Sequence, residues 1–424
     1  MSHVIQINST KKLKGILTPP ADKSISHRSI ILGSLAEGTS KITNFLESAD
    51  ALATLKIMQQ LGASIQKHRH QIIIHSPGFQ ALKATTSDLN AENSGTTMRL
   101  LAGVLSNIAG KHTLIGDDSL SKRPMKRIIE PLSLMGAQIK ATNNHAPLYI
   151  EGRQLSSCSY TLPVASAQVK SAIILAALFA QGTTEIIEPI QSRDHTEKML
   201  PLFGGQIIKQ QQKIIVPGQQ NLTAANITVP GDFSSAAFFI VAGLITPNSQ
   251  ITLNNVNLNP TRTGLLSVLD KMHANYQIEQ TGAELGNITV STSNLKATEI
   301  KGDLIPLLID ELPIVALLAT QAEGTTIISD AEELRYKESD RIAKVALELS
   351  KLGANIEEKA DGLIIHGRSK LIGASVASHY DHRLGMMLGI AAQIAEGTTI
   401  IKNYQSVNIS YPHFWDDLRA LRGE

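Results

Sequence analysis

The turn Glu323-Gly324-Thr325-Thr326 recurs along the chain and decides the fold class. In each copy an apolar, helix-like stretch ends at a small or polar turn, and a strand-like run of β-branched residues follows. The turn glycines, replaced by Asn248 in the fourth copy, are 72, 72, 66, 76 and 73 residues apart. A period of about 70 residues predicts six similar supersecondary units. The other copies are Ala36-Glu37-Gly38-Thr39, Ala109-Gly110-Lys111-His112, Gln181-Gly182-Thr183-Thr184, Thr246-Pro247-Asn248-Ser249 and Glu396-Gly397-Thr398-Thr399.

A second repeated signal marks the end of a helix inside the units. Leu61-Gly62-Ala63, Met135-Gly136-Ala137 and Leu352-Gly353-Ala354 each stop a helical pattern before a strand-like run. Helices that alternate with strands at this spacing predict α/β units rather than a helical solenoid. Pro19-Pro20 and Pro230-Gly231 interrupt the pattern. We therefore expect two domains of three units each, the first at residues 19–228 and the second at 1–18 with 229–424.

Composition excludes several classes of protein. The 424 residues are 42% hydrophobic and 18% charged, which is typical of folded domains and not of disordered chains or coiled coils. A net charge of +2 argues against a nucleic-acid partner. The single cysteine, Cys158, cannot form an internal disulfide and lies in a strand-like segment, so we interpret it as an inert structural thiol.

Localisation, cofactor and partner predictions follow from what the sequence lacks. The first fifteen residues do not resemble a signal peptide, and no run of about 18 apolar residues occurs. The sequence shows no dinucleotide fingerprint and no His-Glu-x-x-His motif. We expect a cytoplasmic monomer that acts on small molecules, with no cofactor, no metal, no nucleic acid and no membrane.

Polar residues and cations gather where the main helices of the units are predicted to begin. Asp22, Ser94, Ser166 and Asp381 are typical N-caps, and for Asp310 capping alone is an alternative to a chemical role. Capping does not explain the basic residues in the first two helical turns, because the helix dipole disfavours positive charge there. The pattern predicts a site for phosphate and carboxylate groups. The basic residues are Lys23, Arg28, Arg99 and Arg383.

Basic loop segments add to this pattern. Arg123 and Arg193 lie in loops before predicted helices, and Lys337 and Arg341, four residues apart, are expected on one helical face. A solvated charge run is the alternative for any single segment.

Five motifs together resemble the enolpyruvyl transferases, in the order of that family and over nearly the whole chain. They are Asp22-Lys23-Ser24-Ile25-Ser26-His27-Arg28, Asn93-Ser94-Gly95-Thr96-Thr97-Met98-Arg99, Arg123-Pro124-Met125, Lys337-Glu338-Ser339-Asp340-Arg341 and Asp381-His382-Arg383. The resemblance implies a two-domain inside-out α/β barrel of six βαβαββ-type units, with the N-terminal strand in the second domain. One branch of the family, which uses UDP-N-acetylglucosamine, carries a cysteine just before the Arg-Pro pair. Residues 117–122 contain none, which favours the shikimate branch.

The reaction that this resemblance implies is transfer of the enolpyruvyl group of phosphoenolpyruvate to the 5-hydroxyl of shikimate-3-phosphate. Phosphate leaves from a tetrahedral ketal, in the pathway to chorismate and the aromatic amino acids. By resemblance, Asp310, Glu338 and Lys23 are catalytic, with Glu338 or Lys23 as the proton donor to C3. The residues expected to bind shikimate-3-phosphate are Lys23, Ser24, Arg28, Ser166, Gln168, Arg193, Asp310 and Lys337. Those expected to bind phosphoenolpyruvate are Lys23, Gly95, Arg123, Gln168, Arg341 and Arg383.

Two positions depart from the family pattern. Arg193 stands where part of the family has serine and tyrosine, and Ile409 stands where many members have a lysine. The alternatives to the main interpretation are a UDP-N-acetylglucosamine enolpyruvyl transferase, an RNA 3'-phosphate cyclase-like enzyme and a non-catalytic repeat scaffold. The cyclase requires a nucleotide-linked histidine and a basic surface, and the scaffold predicts no ordered cation cluster.

Overall fold

The computed structural model describes residues 4–69 and 71–424, which form two compact units. The terminal unit comprises Met1–Pro20 and Pro230–Glu424, and the inserted unit comprises Ala21–Val229. The first three residues of the predicted segment 1–18 lie outside the described residues.

Strands and helices alternate along both units, which confirms the predicted α/β class. The strands are β1 (Val4–Asn8), β2 (Lys14–Leu17), β3 (Glu37–Thr43), β4 (Ser64–His68), β5 (Gln71–Pro77), β6 (Leu89–Asn90), β7 (Gly110–Ile115), β8 (Gln138–Thr142), β9 (His145–Gly152), β10 (Ser159–Thr161), β11 (Thr183–Ile187), β12 (Ile208–Gln210), β13 (Lys213–Pro217), β14 (Asn226–Thr228), β15 (Gln250–Asn257), β16 (Tyr276–Gly282), β17 (Leu285–Ser291), β18 (Glu299–Ile300), β19 (Gly324–Ile328), β20 (Asn355–Lys359), β21 (Gly362–Gly367), β22 (Ser375–Ala377) and β23 (Thr398–Lys402).

The α-helices are α1 (Lys23–Leu35), α2 (Ala49–Gln60), α3 (Gly95–Leu105), α4 (Lys126–Leu134), α5 (Ala167–Ala177), α6 (His195–Met199), α7 (Phe233–Ile245), α8 (Gly264–Lys271), α9 (Leu304–Leu308), α10 (Leu312–Thr320), α11 (Arg341–Lys351), α12 (His382–Ile394) and α13 (Phe414–Arg422). Short 3₁₀ helices lie at Phe79–Ala81, Leu120–Lys122, Leu200–Phe203, Glu332–Tyr336 and Tyr404–Ile409. No helix in the described part of the chain has both the length and the apolar character needed to cross a bilayer.

Each small sheet of the described chain follows one connection rule. An outer strand runs parallel to its neighbour, and that neighbour is antiparallel to a third strand. In the inserted unit the orders are β14-β3-β5-β4, β6-β7-β9-β8 and β10-β11-β13-β12. In the terminal unit they are β2-β15-β17-β16, β18-β19-β21-β20 and the three-stranded β22-β23-β1. Three sheets thus depend on strands distant in sequence, with β14 beside β3, β2 beside β15 and β1 beside β23.

The six turn residues that define the sequence period all have a positive φ. Their φ angles are 113° at Gly38, 122° at Gly110, 86° at Gly182, 52° at Asn248, 104° at Gly324 and 91° at Gly397. A positive φ favours glycine, and asparagine is among the few other residues that adopt it readily. Asn248, which takes the place of glycine in the fourth copy, therefore keeps the positive φ that the turn requires.

A separate hydrophobic core fills each unit. In the terminal unit α7, α10 and α12 contact one another and are buried on all sides. In the inserted unit α3 packs so closely on α5 that a methyl group at Gly103 would lie 2.2 Å from the Ala172 carbonyl oxygen. These buried helices present their first turns, and the polar residues on them, in fixed positions.

Candidate active site

Side-chain caps fix the start of most of the main helices, as predicted. In α1, α3, α5, α7 and α12 a side-chain oxygen of the N-cap residue accepts a backbone N–H of the first turn at 2.7–3.4 Å. These N-cap residues are Asp22, Ser94, Ser166, Asp232 and Asp381. The exception is α10, whose N-cap position is held by Glu311 without a side-chain cap bond. The cap position of α10 is thus one residue after Asp310, for which capping is the alternative to a chemical role.

Lys23, the first residue of α1, forms an ion pair inside the inserted unit. Its Nζ lies 3.1 Å from Asp50 Oδ2. His27, one turn further along α1, is fully buried and bonds through Nδ1 to Thr54 Oγ1 at 2.7 Å. Burial, and next the charges of Lys23 and Arg28, hold the pKa of His27 well below its usual value. The imidazole is therefore neutral in the folded chain.

Gly95 lies against two guanidinium groups. A methyl group there would be 3.2 Å from Arg123 Nη1 and 3.4 Å from Arg99 Nη1. Arg99 donates to Gln168 Oε1, and Gln168 Nε2 donates to Thr96 Oγ1 at 3.0 Å. The structure thus brings together three of the predicted residues, Gly95, Arg123 and Gln168, beside the start of α3.

Arg28 is buried and directs its donors into the inserted unit. Nε donates to Thr196 Oγ1 at 2.7 Å, Nη2 to Ser171 Oγ at 2.7 Å and Nη1 to the Ser24 carbonyl at 3.0 Å. Arg193 lies three residues before Thr196 and is half-buried. Arg28 thus binds α6 at a position three residues after Arg193.

In the terminal unit the buried guanidinium group of Arg341 binds three carboxylates. Arg341 Nε donates to Asp381 Oδ2 at 2.9 Å, Nη2 to Glu338 Oε2 at 2.6 Å and Nη1 to Asp310 Oδ1 at 3.3 Å. Burial lowers the pKa of Arg341, but the three carboxylates together raise it above its ordinary value. Lys337 Nζ lies 3.9 Å from the same Asp310 oxygen. The predicted Asp310, Lys337, Glu338 and Arg341 thus form one cluster.

The prediction that Lys337 and Arg341 share a helical face is wrong. Lys337 has extended backbone after the 3₁₀ helix Glu332–Tyr336, and α11 begins only at Arg341. The break occurs because Asp340 caps α11, accepting the Ala343 N–H at 3.0 Å. The two cations nevertheless meet at Asp310.

Arg383, in the first turn of α12, packs over the Phe238 ring with its guanidinium carbon 5.9 Å from the ring centroid. Its Nη1 donates to the Ser234 carbonyl at 3.1 Å. Asp381, which caps α12, also binds Arg341, so Arg341 and Arg383 are held by the same short segment.

Comparison with known protein families establishes the family to which the chain belongs. Residues 7–418 match the family described as EPSP synthase (3-phosphoshikimate 1-carboxyvinyltransferase). The chain belongs to the EPSP synthase family. It is 50% identical over 421 residues to the 3-phosphoshikimate 1-carboxyvinyltransferase of Bacillus subtilis, covering 98% of each chain. It is 51% identical to that of Geobacillus kaustophilus, covering 97% of this chain and 99% of the relative.

Solved structures agree with this membership. An EPSP synthase from Acinetobacter baumannii superposes with a TM-score of 0.88 at 42% identity, over 99% of this chain and 98% of that one. The enolpyruvyl transferase NikO from Streptomyces tendae superposes with a TM-score of 0.79 at 17% identity, with the same coverage. At that identity the likeness to NikO concerns the fold alone.

In this EPSP synthase family member, one buried charged residue that the sequence does not mark is Arg262. Arg262 is almost fully buried and donates through Nη2 to Asp232 Oδ1 at 2.9 Å and to the Ser234 hydroxyl. Ser234 in turn donates to Glu311. Asp232, like Asp22, stands at a predicted helix start and caps α7. No such local signal marks Arg262.

Cys158 and metal ligands complete the account of the predicted residues. Cys158 is half-buried and precedes β10, which begins at Ser159, so the strand-like segment is shorter than expected. Burial raises the pKa of the Cys158 thiol. Across residues 4–69 and 71–424, no group of three or more His, Cys, Asp or Glu side chains is disposed to hold a metal ion.

Proposed function

We propose that this chain transfers the enolpyruvyl group of phosphoenolpyruvate to the 5-hydroxyl of shikimate-3-phosphate and releases phosphate. This is the activity of the EPSP synthase family, to which residues 7–418 belong, and that match is the observation that carries the proposal. The reaction makes the chain a transferase of the shikimate pathway, in aromatic amino acid biosynthesis. Both substrates are small anions, which fits the arginine-rich clusters described above.

We infer that six βαβαββ-type units build the fold, three in each domain, as a two-domain inside-out α/β barrel. The shared strand order of the small sheets supports this arrangement. The domains we propose are residues 19–228 and residues 1–18 with 229–424. The division of the chain into compact units after Pro20 and after Val229 supports these boundaries.

For phosphoenolpyruvate we propose a set of basic and small residues. Arginine suits this ligand because its fork matches the planar geometry of carboxylate and phosphate oxygens. Gly95 leaves room beside Arg123, and its lack of a side chain permits a close approach of the ligand to the backbone. The set is Lys23, Gly95, Arg123, Gln168, Arg341 and Arg383.

For shikimate-3-phosphate we propose a set drawn from helix starts and their neighbouring loops. Ser24 and Arg28 lie in the first two turns of α1, and Ser166 caps α5, where backbone N–H groups favour phosphate. The set is Lys23, Ser24, Arg28, Ser166, Gln168, Arg193, Asp310 and Lys337.

The reaction requires one general base and one general acid. As the 5-hydroxyl adds to C2 of phosphoenolpyruvate, Asp310 accepts the hydroxyl proton, and Glu338 or Lys23 delivers a proton to C3. The ketal then loses phosphate from C2 and a proton from C3, which forms the C2–C3 double bond of the enol ether product. Arg123, Arg341 and Arg383 stabilise the charge that develops on the phosphate and carboxylate oxygens. The position of Asp310, 3.3 Å from Arg341 and 3.9 Å from Lys337, supports an ionised carboxylate as the base.

A coupled assay for phosphate release tests the proposal. The chain should release phosphate from phosphoenolpyruvate with shikimate-3-phosphate and not with UDP-N-acetylglucosamine. Release with the sugar nucleotide alone would overturn the assignment. We also infer a cytoplasmic monomer that binds neither nucleic acid nor membranes, and light scattering during size-exclusion chromatography measures its oligomeric state.

A further inference from the structure

A fully buried lysine in the inserted unit joins one helix to the segment that carries Arg193. Lys170 lies on α5, and its Nζ is 2.8 Å and 3.0 Å from the two carboxylate oxygens of Glu188. The same Nζ is 2.8 Å from Glu197 Oε1 and donates to the Ser192 carbonyl at 3.3 Å. One ammonium group therefore contacts the segment of residues 188–197 at its start, middle and end.

Burial makes these contacts depend strongly on one another. A desolvated ammonium persists only when opposite charges and hydrogen-bond acceptors surround it. Here Glu188 and Glu197 share one cation, and the pKa of Glu197 is raised by burial although the charge and hydrogen bond of Lys170 lower it. Removal of the Lys170 charge would leave Glu188 and Glu197 without the cation that holds them together.

The segment held in this way includes the neighbours of the proposed phosphate-binding arginines. Glu188 Oε1 accepts the Ser192 N–H at 2.9 Å, so the backbone directly before Arg193 is fixed. At the other end, Thr196 Oγ1 accepts from Arg28 Nε and lies 2.7 Å from Ser171 Oγ. Ser171 is the residue after Lys170, so adjacent residues of α5 hold both Arg28 and the segment of Arg193.

The same helix also begins at a proposed contact to substrate. The Lys170 N–H donates to the Ser166 carbonyl at 3.0 Å within the first turn of α5. Lys170 therefore couples the start of α5, where Ser166 and Gln168 lie, to the residues 188–197.

We propose that Lys170 is a positioning residue that sets the affinity for shikimate-3-phosphate by fixing Arg193 and Arg28 relative to the start of α5. This inference rests on the proposed function and deepens it, since Lys170 acts on the substrate only through other residues. Small displacements of pre-arranged charged groups weaken binding strongly, so the position of these arginines is as important as their presence.

The test replaces Lys170 by methionine, which keeps the length of the side chain and removes its charge. Calorimetric titration with shikimate-3-phosphate should show an affinity lower by about tenfold or more in Lys170→Met. The Michaelis constant for phosphoenolpyruvate and kcat should change by less than about threefold. Phosphate release by the unchanged chain is measured first, and its absence would reject the proposed function rather than the role of Lys170.

Two further variants separate positioning from stability. Lys170→Met combined with Glu197→Gln removes both charges of the Lys170–Glu197 pair, so its thermal midpoint should exceed that of the single variant while the affinity for shikimate-3-phosphate stays low. It also provides the binding measurement if Lys170→Met does not fold. Leu148→Ala, which removes a fully buried side chain of β9, should lower the thermal midpoint and leave the affinity unchanged. The proposal would be overturned if the double variant regained affinity for shikimate-3-phosphate together with stability. It would also be overturned if Leu148→Ala lost as much affinity as Lys170→Met.

Discussion

Replacement of Gly95 by alanine should weaken the binding of phosphoenolpyruvate without unfolding the chain. Gly95 is the first residue of α3 and its φ is not positive, so alanine is permitted there. In a helix interior alanine is favoured over glycine by about 1 kcal/mol, and in the first turn by less. The free energy of unfolding should therefore stay constant or rise slightly.

The added methyl group acts on Arg123. It would lie 3.2 Å from Arg123 Nη1, closer than an ordinary carbon–nitrogen contact, whereas its distance of 3.7 Å from Leu120 Cδ1 is normal. The guanidinium, which Asn93 holds at 2.8 Å, must then shift by a few tenths of an ångström. We expect the Michaelis constant for phosphoenolpyruvate to rise by about tenfold, or about 1.4 kcal/mol, with a smaller change for shikimate-3-phosphate.

The same helix provides a contrasting variant. A methyl group at Gly103 would meet the Ala172 carbonyl oxygen at 2.2 Å and its carbon at 2.9 Å, and backbone atoms cannot move aside as a flexible side chain can. Gly103→Ala should lower the free energy of unfolding by about 1–3 kcal/mol. Urea unfolding and steady-state phosphate release should be measured on both variants. Equal losses of stability, or an unchanged Michaelis constant for phosphoenolpyruvate in Gly95→Ala, would refute the reasoning.

Three further variants test single groups. Asp310→Asn should lower turnover by about 100-fold or more while calorimetry still detects shikimate-3-phosphate binding, and near-normal turnover would remove Asp310 from the role of base. Because burial holds the pKa of His27 well below 6.5, the unfolded chain binds more protons and stability falls as the pH drops below that value. His27→Gln should flatten this fall in urea titrations between about pH 7 and about pH 5, whereas parallel curves for the two proteins would contradict it. Cys158→Ser should keep turnover within about twofold, since burial raises the pKa of the thiol and keeps it protonated; a loss of two orders of magnitude would show a chemical role.

Local signals predicted the parts of this structure that depend on local backbone geometry. The turn at Asn248 has a positive φ, as do the five glycine turns. Such turns can be predicted because glycine and asparagine are the residues that adopt a positive φ most readily. Caps such as Asp22 and Asp381 were predicted for the same reason, since a cap bonds to a backbone group two or three residues away.

Contacts between distant residues could not be predicted in this way. Arg262 binds Asp232 thirty residues away, and Arg341 binds Asp381 forty residues away. No sequence motif around Lys170 or Glu188 indicates that the two side chains form an ion pair. The spacing of Lys337 and Arg341 suggested one helix, but the cap at Asp340 outweighed it. Such pairings are decided by tertiary packing, which a single sequence does not display.

The order of strands also has a consequence for synthesis on the ribosome. The sheet around β3 is completed by β14, so every strand of the inserted unit has been made once the chain reaches Val229. β1 and β2 are made before the inserted unit but pair with β23 and β15, which are made much later. Because domains generally fold as units while the chain grows, the inserted unit is expected to fold first. The residues of β1 thus leave the ribosome before the inserted unit but gain their neighbours after it, and β1 stays unpaired until translation has passed Lys402.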